Sequence, residues 1–329
     1  MSLWLPDHWL WDFWFATDGD DVHVFFLHAP RSLGDPDRRH RNARIGHAVS
    51  RDLRNWELLP NPLSPGEPGD FDDLATWTGS VLAHEGRWYL FYTGVSTRDD
   101  GAVQRIGVAT SDDLMVWTKW DVEFEADSRW YEKLSEGVDG EAWRDPWVFF
   151  DDDTRCWHML VCARANHGAL DGRGVIGHAI ADDPLLSWKA RPPLSEPGEF
   201  SQLEVPQLVH IGGQWRVLFC AGPGDHSAAR QSRTGTVPEG GTHYLTADEK
   251  LGTYRLQSDR FLLGDPAGRF YAGRLVRYQG QWHFFAWQQY DERGQFVGAL
   301  TDPVPVTVAP DGSLAIARPD QPSAIGQQR

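Results

Sequence analysis

The feature that most limits how this chain can fold is an internal repeat. The segment from Arg44 to Trp56, RIGHAVSRDLRNW, returns as Arg105 to Trp117, RIGVATSDDLMVW, and as Val175 to Trp188, VIGHAIADDPLLSW. Each reads as a strand, an Asp-containing turn and a short strand led by Trp. A second unit precedes these segments, a pair of apolar, alternating runs joined by a tight Gly-containing turn. It occurs at Trp11 to Leu27, Trp77 to Gly94, Arg144 to Cys162, Glu204 to Cys220 and Tyr271 to Trp287. Alternation without helical periodicity marks antiparallel hairpins. Taking Asp12, Trp77, Asp145, Glu204 and Tyr271 as equivalent starts, the spacings are 65, 68, 59 and 67 residues. Four strands and their loops fit that period, which predicts blades arranged around an axis.

The expected fold is therefore all-β: a single five-bladed β-propeller of four-stranded antiparallel blades occupying residues 1–329. The first strand of each blade should line the axis and the Trp-led strand should lie outermost. The polar connectors Pro30 to Asn42, Asp121 to Glu141 and Gly222 to Gly241 read as rim loops, since the blade pattern resumes after each. How the ring closes is open, with Trp4 to Trp9 placed to pack against the last blade.

In a propeller all inner strands run alike, so residues at their starts meet at one end of the channel. Three such residues are acidic: Asp12 in LWDFWF, Asp145 in WRDPWVFF and Glu204 in LEVPQL. Taken singly, each reads equally as a turn, an ion pair or an exposed strand residue; three in corresponding places point to one shared site. Two carboxylates flanking a bond are what glycoside cleavage needs, one attacking or activating water and one delivering a proton to the leaving oxygen. The 17 Trp supply aromatic faces for sugar rings. Asp52, Asp112, Asp113, Asp182 and Asp183 repeat as turn formers, and Trp56, Trp117 and Trp188 as packing between blades.

Charge and cysteine usage exclude other classes. With 31 Lys and Arg against 47 Asp and Glu, the net charge of -16 would repel nucleic acid and anionic lipid. No apolar run approaches the roughly 18 residues that span a bilayer, and Met1 to His8 lacks a secretory signal pattern. The expectation is a cytoplasmic protein, monomer or homodimer, with no nucleic-acid or membrane partner. Cys156, Cys162 and Cys220 lack metal-ligand spacing, and no HExxH pattern accompanies the thirteen His.

An early Asp, Arg144-Asp145-Pro146 in the third copy, a Glu opening the fourth and Trp77-Thr78-Gly79-Ser80 together resemble the five-bladed propeller glycosidases. The likeness is to the invertase, levanase and inulinase family (glycoside hydrolase family 32) and its arabinanase and xylosidase relatives in family 43. That resemblance implies a β-fructofuranosidase-like enzyme acting on a disaccharide or oligosaccharide, with Asp12 as nucleophile, Glu204 as acid/base and Asp145 as transition-state stabiliser. It implies that Arg144 orients the carboxylates, with Trp11, Trp77, Trp143, Asp73, Tyr271 and Trp287 as substrate-binding candidates. No cofactor is implied; a central calcium ion stays open because axial histidines bind one in the arabinanase-like relatives, and His243 is the candidate here. The chain departs from the family at Trp11-Asp12-Phe13-Trp14 and Glu204-Val205. The C-terminal β-sandwich of the invertases is expected to be absent. Two alternatives stand beside this reading, an inverting arabinanase- or xylosidase-like enzyme and a carbohydrate-binding propeller without catalysis.

Overall fold

The computed structural model describes residues 1–135 and 140–320. Five antiparallel sheets are strung along the chain, each beginning at the axis and running outward, as the repeat requires. Blade 1 comprises β1 (His8–Asp18), β2 (Asp21–Pro30), β3 (Arg44–Ser50) and β4 (Glu57–Leu63). Blade 2 comprises β5 (Ala75–His84), β6 (Arg87–Val95), β7 (Gln104–Ser111) and β8 (Thr118–Lys119). Blade 3 is β9 (Trp143–Asp151), β10 (Cys156–Arg164), β11 (Gly174–Ala181) and β12 (Lys189–Arg191). Blade 4 is β13 (Glu204–Ile211), β14 (Gln214–Ala221), β15 (Gly240–Ala247) and β16 (Leu263–Asp265), with the short helix α1 (Ala228–Thr234) between β14 and β15.

Blade 5 departs from the pattern. Its first strands are β17 (Phe270–Tyr278) and β18 (Gln281–Tyr290), and β18 is then paired in two pieces, by β19 (Phe296–Leu300) near its end and by β20 (Val304–Val308) near its start. The outermost strand is β21 (Leu314–Ile316). Leu3 bridges Leu300 antiparallel, and Trp9 packs against Phe296 and Gly298. The chain's beginning thus closes the ring on its last blade, which also covers strand backbone that would otherwise stay unpaired.

The repeated residues do the repeated jobs. Asp52 accepts hydrogen bonds from the amides of Arg54 and Asn55, Asp113 from those of Met115 and Val116, and Asp183 from that of Leu185. Each is the side-chain-to-backbone bond that fixes such a turn. The Trp that follows packs onto the middle of the preceding blade: Trp56 against Phe285, Trp117 against Phe25 and Trp188 against Phe91. These edge-on aromatic contacts join blade to blade. Two repeat histidines are structural. His47 pairs with His23 and His178 with His158, buried nitrogen to buried nitrogen at 2.8 and 3.0 Å, and burial pushes all four below the ordinary histidine value. Among the described residues no helix is long and apolar enough to cross a membrane, and the three cysteines are free thiols.

Gly79 shows how closely blade 2 is packed at its inner edge. A Cβ there would sit 2.0 Å from the Phe91 carbonyl oxygen, which is backbone and cannot move aside. Gly79→Ala should therefore destabilise the protein by about 3 kcal/mol or more, read as a lowered urea midpoint; an unchanged midpoint would contradict this packing.

Candidate active site

All five inner strands carry the same irregularity. One extra residue interrupts the register with the second strand at Asp12, Thr78, Asp145, Val205 and Ala272 in blades 1 to 5. Four of these have a positive φ: Asp12, Asp145, Val205 and Ala272, from 24° to 59°. A bulge breaks strict alternation and re-aims side chains, so neighbours such as Trp11 and Asp12, or Arg144 and Asp145, can serve one cavity. It also corrects the sequence alignment. Glu204 does not stand level with Asp12 and Asp145; it lies one residue earlier, level with Trp11, Trp77, Arg144 and Tyr271, because the bulge residue of blade 4 is Val205.

Asp12 and Glu204 both line a cavity of about 290 Å³ with Trp11, Arg39, His40, Tyr271, Trp287 and Gln289. Both oxygens of Asp12 are held: Thr78 Oγ1 donates to Oδ2 at 2.9 Å and Trp287 Nε1 to Oδ1 at 3.1 Å. Glu204 is held as firmly. Arg144 Nη2 donates to its Oε1 at 2.7 Å and the Tyr271 hydroxyl to its Oε2 at 2.5 Å. Its side chain keeps 29% of its surface exposed, which leaves it open to a ligand. Asp145 lies deeper. The amide of Val205 donates to its Oδ2 at 3.0 Å, and Arg144 Nε approaches the same oxygen at 3.6 Å.

Arg274, fully buried in the channel, completes the charge cluster. Its Nε donates to the Phe13 carbonyl and its Nη1 to that of Pro206, tying blades 1 and 4 to blade 5. Burial pulls it down to about 10, opposed by Asp145, Cys220 and Asp12. Burial and the facing Glu204 push Asp12 above the ordinary aspartate value, while Thr78, Arg39 and Arg274 act against the rise. Asp145 is pushed up to about 7, chiefly by burial and further by Asp12 and Glu204, with Arg144 opposing. For Arg144 burial acts downward, but Cys162, Glu204 and Asp145 more than offset it, and the guanidinium stays charged.

Of the other predicted residues, Trp11, Tyr271 and Trp287 line the cavity, and Arg144 grips Glu204. Trp77 donates its Nε1 proton to the His40 carbonyl, so it fixes the loop over the site. Two candidates are not part of the site. Trp143 is buried in blade 3 against Tyr131, where the apolar neighbours of the strand start draw it inward. Asp73 accepts from the Gly69 and Thr97 amides and the Ser96 and Thr97 hydroxyls, which makes it the organiser of a blade 2 loop. His243 is no metal candidate either: Ser258 O and the Tyr244 amide occupy both its nitrogens. Among the described residues no cluster of His, Cys, Asp and Glu is placed to hold a metal.

Sequence reading does not single out Arg39, His40, Thr78, Gln289 or Arg274. Arg39 and His40 belong to a connector without strand pattern, and Gln289 follows the last hairpin; only Thr78, inside Trp77-Thr78-Gly79-Ser80, and Arg274, a basic residue in an apolar inner strand, left a trace in the sequence. A larger cavity, about 770 Å³, opens at the far end of the channel, but none of the three carboxylates lines it.

Known proteins resemble this chain in sequence and in fold. The family model described as "Glycosyl hydrolases family 32 N-terminal domain" matches residues 15–288. The chain is 29% identical over 198 residues to a sucrose-6-phosphate hydrolase of Bacillus subtilis (strain 168), covering 58% of this chain and 36% of that protein. It is 25% identical over 265 residues to a cell wall beta-fructofuranosidase of Zea mays, covering 78% of this chain and 40% of that one. The match thus spans well under half the length of these relatives. Among solved structures, inulosucrase from Halalkalicoccus jeotgali bound to kestose superposes with a TM-score of 0.76 at 23% identity, over 95% of this chain and 87% of that one, which is a likeness of fold.

The buried carboxyl of Asp145 gives a pH test. Its value rises from 3.8 to about 7 on folding, so between those limits the native state holds a proton that the unfolded chain has released. Stability from this group is full below about pH 4 and is lost as pH rises to 7, at up to about 1.4 kcal/mol per pH unit. Urea denaturation should show wild type losing stability relative to Asp145→Asn across that window and a flat difference above it. A difference that does not vary with pH would contradict the assignment.

Proposed function

The chain belongs to glycosyl hydrolase family 32, and from that premise we propose that it cleaves a non-reducing terminal β-fructofuranoside by double displacement. Asp12 attacks the anomeric carbon, Glu204 protonates the leaving oxygen and then takes a proton from water, and Asp145 holds ring hydroxyls beneath the developing oxocarbenium ion. The observation that carries this reading is the pairing of Asp12 with Glu204 in one cavity, each with both oxygens held by neutral or cationic donors.

The two carboxylates are set up differently. Asp12 is half-buried, and a nucleophile gains from losing part of its water shell when fixed donors replace it. Thr78 and Trp287 leave it one orientation while Arg39 and Arg274 favour its ionised form. Glu204 stays accessible at the cavity surface, as a proton carrier to a departing sugar and an arriving water must be. Arg144 occupies Oε1, which leaves Oε2, shared with the Tyr271 hydroxyl, as the oxygen on which the proton travels. A tyrosine hydroxyl both donates and accepts, so it can follow Glu204 through either state.

The cavity of about 290 Å³ is at the lower end of ordinary ligand pockets. Its size suits one terminal furanosyl unit rather than a buried polymer, which favours release of monosaccharide from a chain end. Incubation with sucrose should release fructose and glucose, short inulin and levan oligosaccharides should release fructose and a chain one unit shorter, and arabino- and xylo-oligosaccharides should stay intact. Asp12→Asn and Glu204→Gln should each lower kcat by about 1,000-fold or more with an unchanged melting temperature. Either variant retaining full activity would overturn the assignment, and arabinose or xylose as product would move the substrate class.

A further inference from the structure

Among the described residues lining the cavity, Arg39 is the one with a buried side-chain nitrogen that has no hydrogen-bond partner. It comes from the connector between β2 and β3, in the 3-10 segment Pro36–Asn42 that crosses the cavity beside Trp77. Only 8% of its surface is exposed. Nη1 donates to the Pro36 carbonyl at 3.0 Å and lies 3.6 Å from the solvent-facing Asp37. Nε is buried with no partner among the described residues. A buried N–H left unpaired costs about 1–3 kcal/mol, so a position that keeps one beside a ligand cavity needs a reason. The side chain is not adrift: its guanidinium is clamped 5.6 Å from the Trp11 ring and 4.7 Å from the Phe296 ring. The free edge, Nε and Nη2, is the planar two-donor face of the group.

We propose that this edge of Arg39 donates to two hydroxyl oxygens of the terminal furanosyl ring and thereby selects the sugar that Asp12 attacks. The inference rests on the glycosidase reading above and adds a specificity residue to it. The ligand is a neutral sugar rather than an anion. Arg39 already faces Asp12 and Glu204, and a phosphate or carboxylate bound there would lie against both of those groups, in a protein of net charge -16.

The test compares wild type with Arg39→Met and Arg39→Lys on sucrose, on sucroses lacking one fructosyl hydroxyl each, and on sucrose 6-phosphate. Arg39→Lys keeps a cation between the two rings but not the two-donor edge. Both variants should raise KM about 10- to 100-fold with kcat changed only a few-fold and the melting temperature kept. One deoxy substrate should cost wild type a similar factor and cost Arg39→Met nothing further, a coupling that a purely structural role would not give. An unchanged KM, equal deoxy penalties in wild type and variant, full rescue by lysine, or a loss confined to sucrose 6-phosphate would each overturn the proposal while leaving the glycosidase reading intact. Wild type releasing fructose from none of the fructosides would instead sink that reading and this inference with it.

Discussion

Everything at the active end of the channel depends on packing like charges together out of water. Asp12, Asp145 and Glu204 converge from three blades, and burial plus the neighbouring carboxylates push Asp12 and Asp145 toward their neutral forms. Arg144 and Arg274 supply the opposition from blades 3 and 5, and Arg274 does so while bonding backbone carbonyls of two other blades. The charge cluster is thus also a fastening at the centre of the ring. Breaking one partner of such a set leaves the other buried and unpaired, which is the costly case. The hydrophobic part of the fold has a different layout: aromatic contacts between Trp and Phe of successive blades fill the space between sheets, and the ionic cluster occupies the axis.

The bulge shared by all five inner strands is what turns this scaffold into a site. A regular strand would send Trp11 and Asp12, or Arg144 and Asp145, to opposite faces. One extra residue per strand allows adjacent side chains to act together. The backbone strain of a positive φ at Asp12 and Asp145 falls on the residues assigned to chemistry, where strained conformations tend to be kept. Three bulges lack an acidic residue: Thr78 orients Asp12, and Val205 and Ala272 carry small or apolar side chains that fill the core, so geometry was repeated five times and chemistry placed on some of the copies.

Much of this was legible in the chain. The five hairpins set the number of blades, and the three RIGHA-type segments marked their outer strands, because each repeats an Asp turn and a Trp that have a local physical role. The acidic residues were visible because they interrupt apolar runs at matching places. The one-residue offset of Glu204 was not, since a bulge changes register without changing composition. Trp143 and Asp73 were misplaced for the opposite reason: a Trp or Asp next to a site looks the same in sequence whether it faces the cavity or the core. Arg39 and His40 could not be found at all, because a loop without periodicity gives no direction for its side chains.

The central claim is that Asp12 becomes covalently bonded to the sugar. Glu204→Gln incubated with a fructoside bearing a good leaving group, quenched rapidly and digested, can be examined by mass spectrometry. The account predicts a fructosyl adduct on the peptide containing Asp12, and on no other carboxylate. An adduct elsewhere, or no adduct together with first-formed product of inverted anomeric configuration, would contradict it.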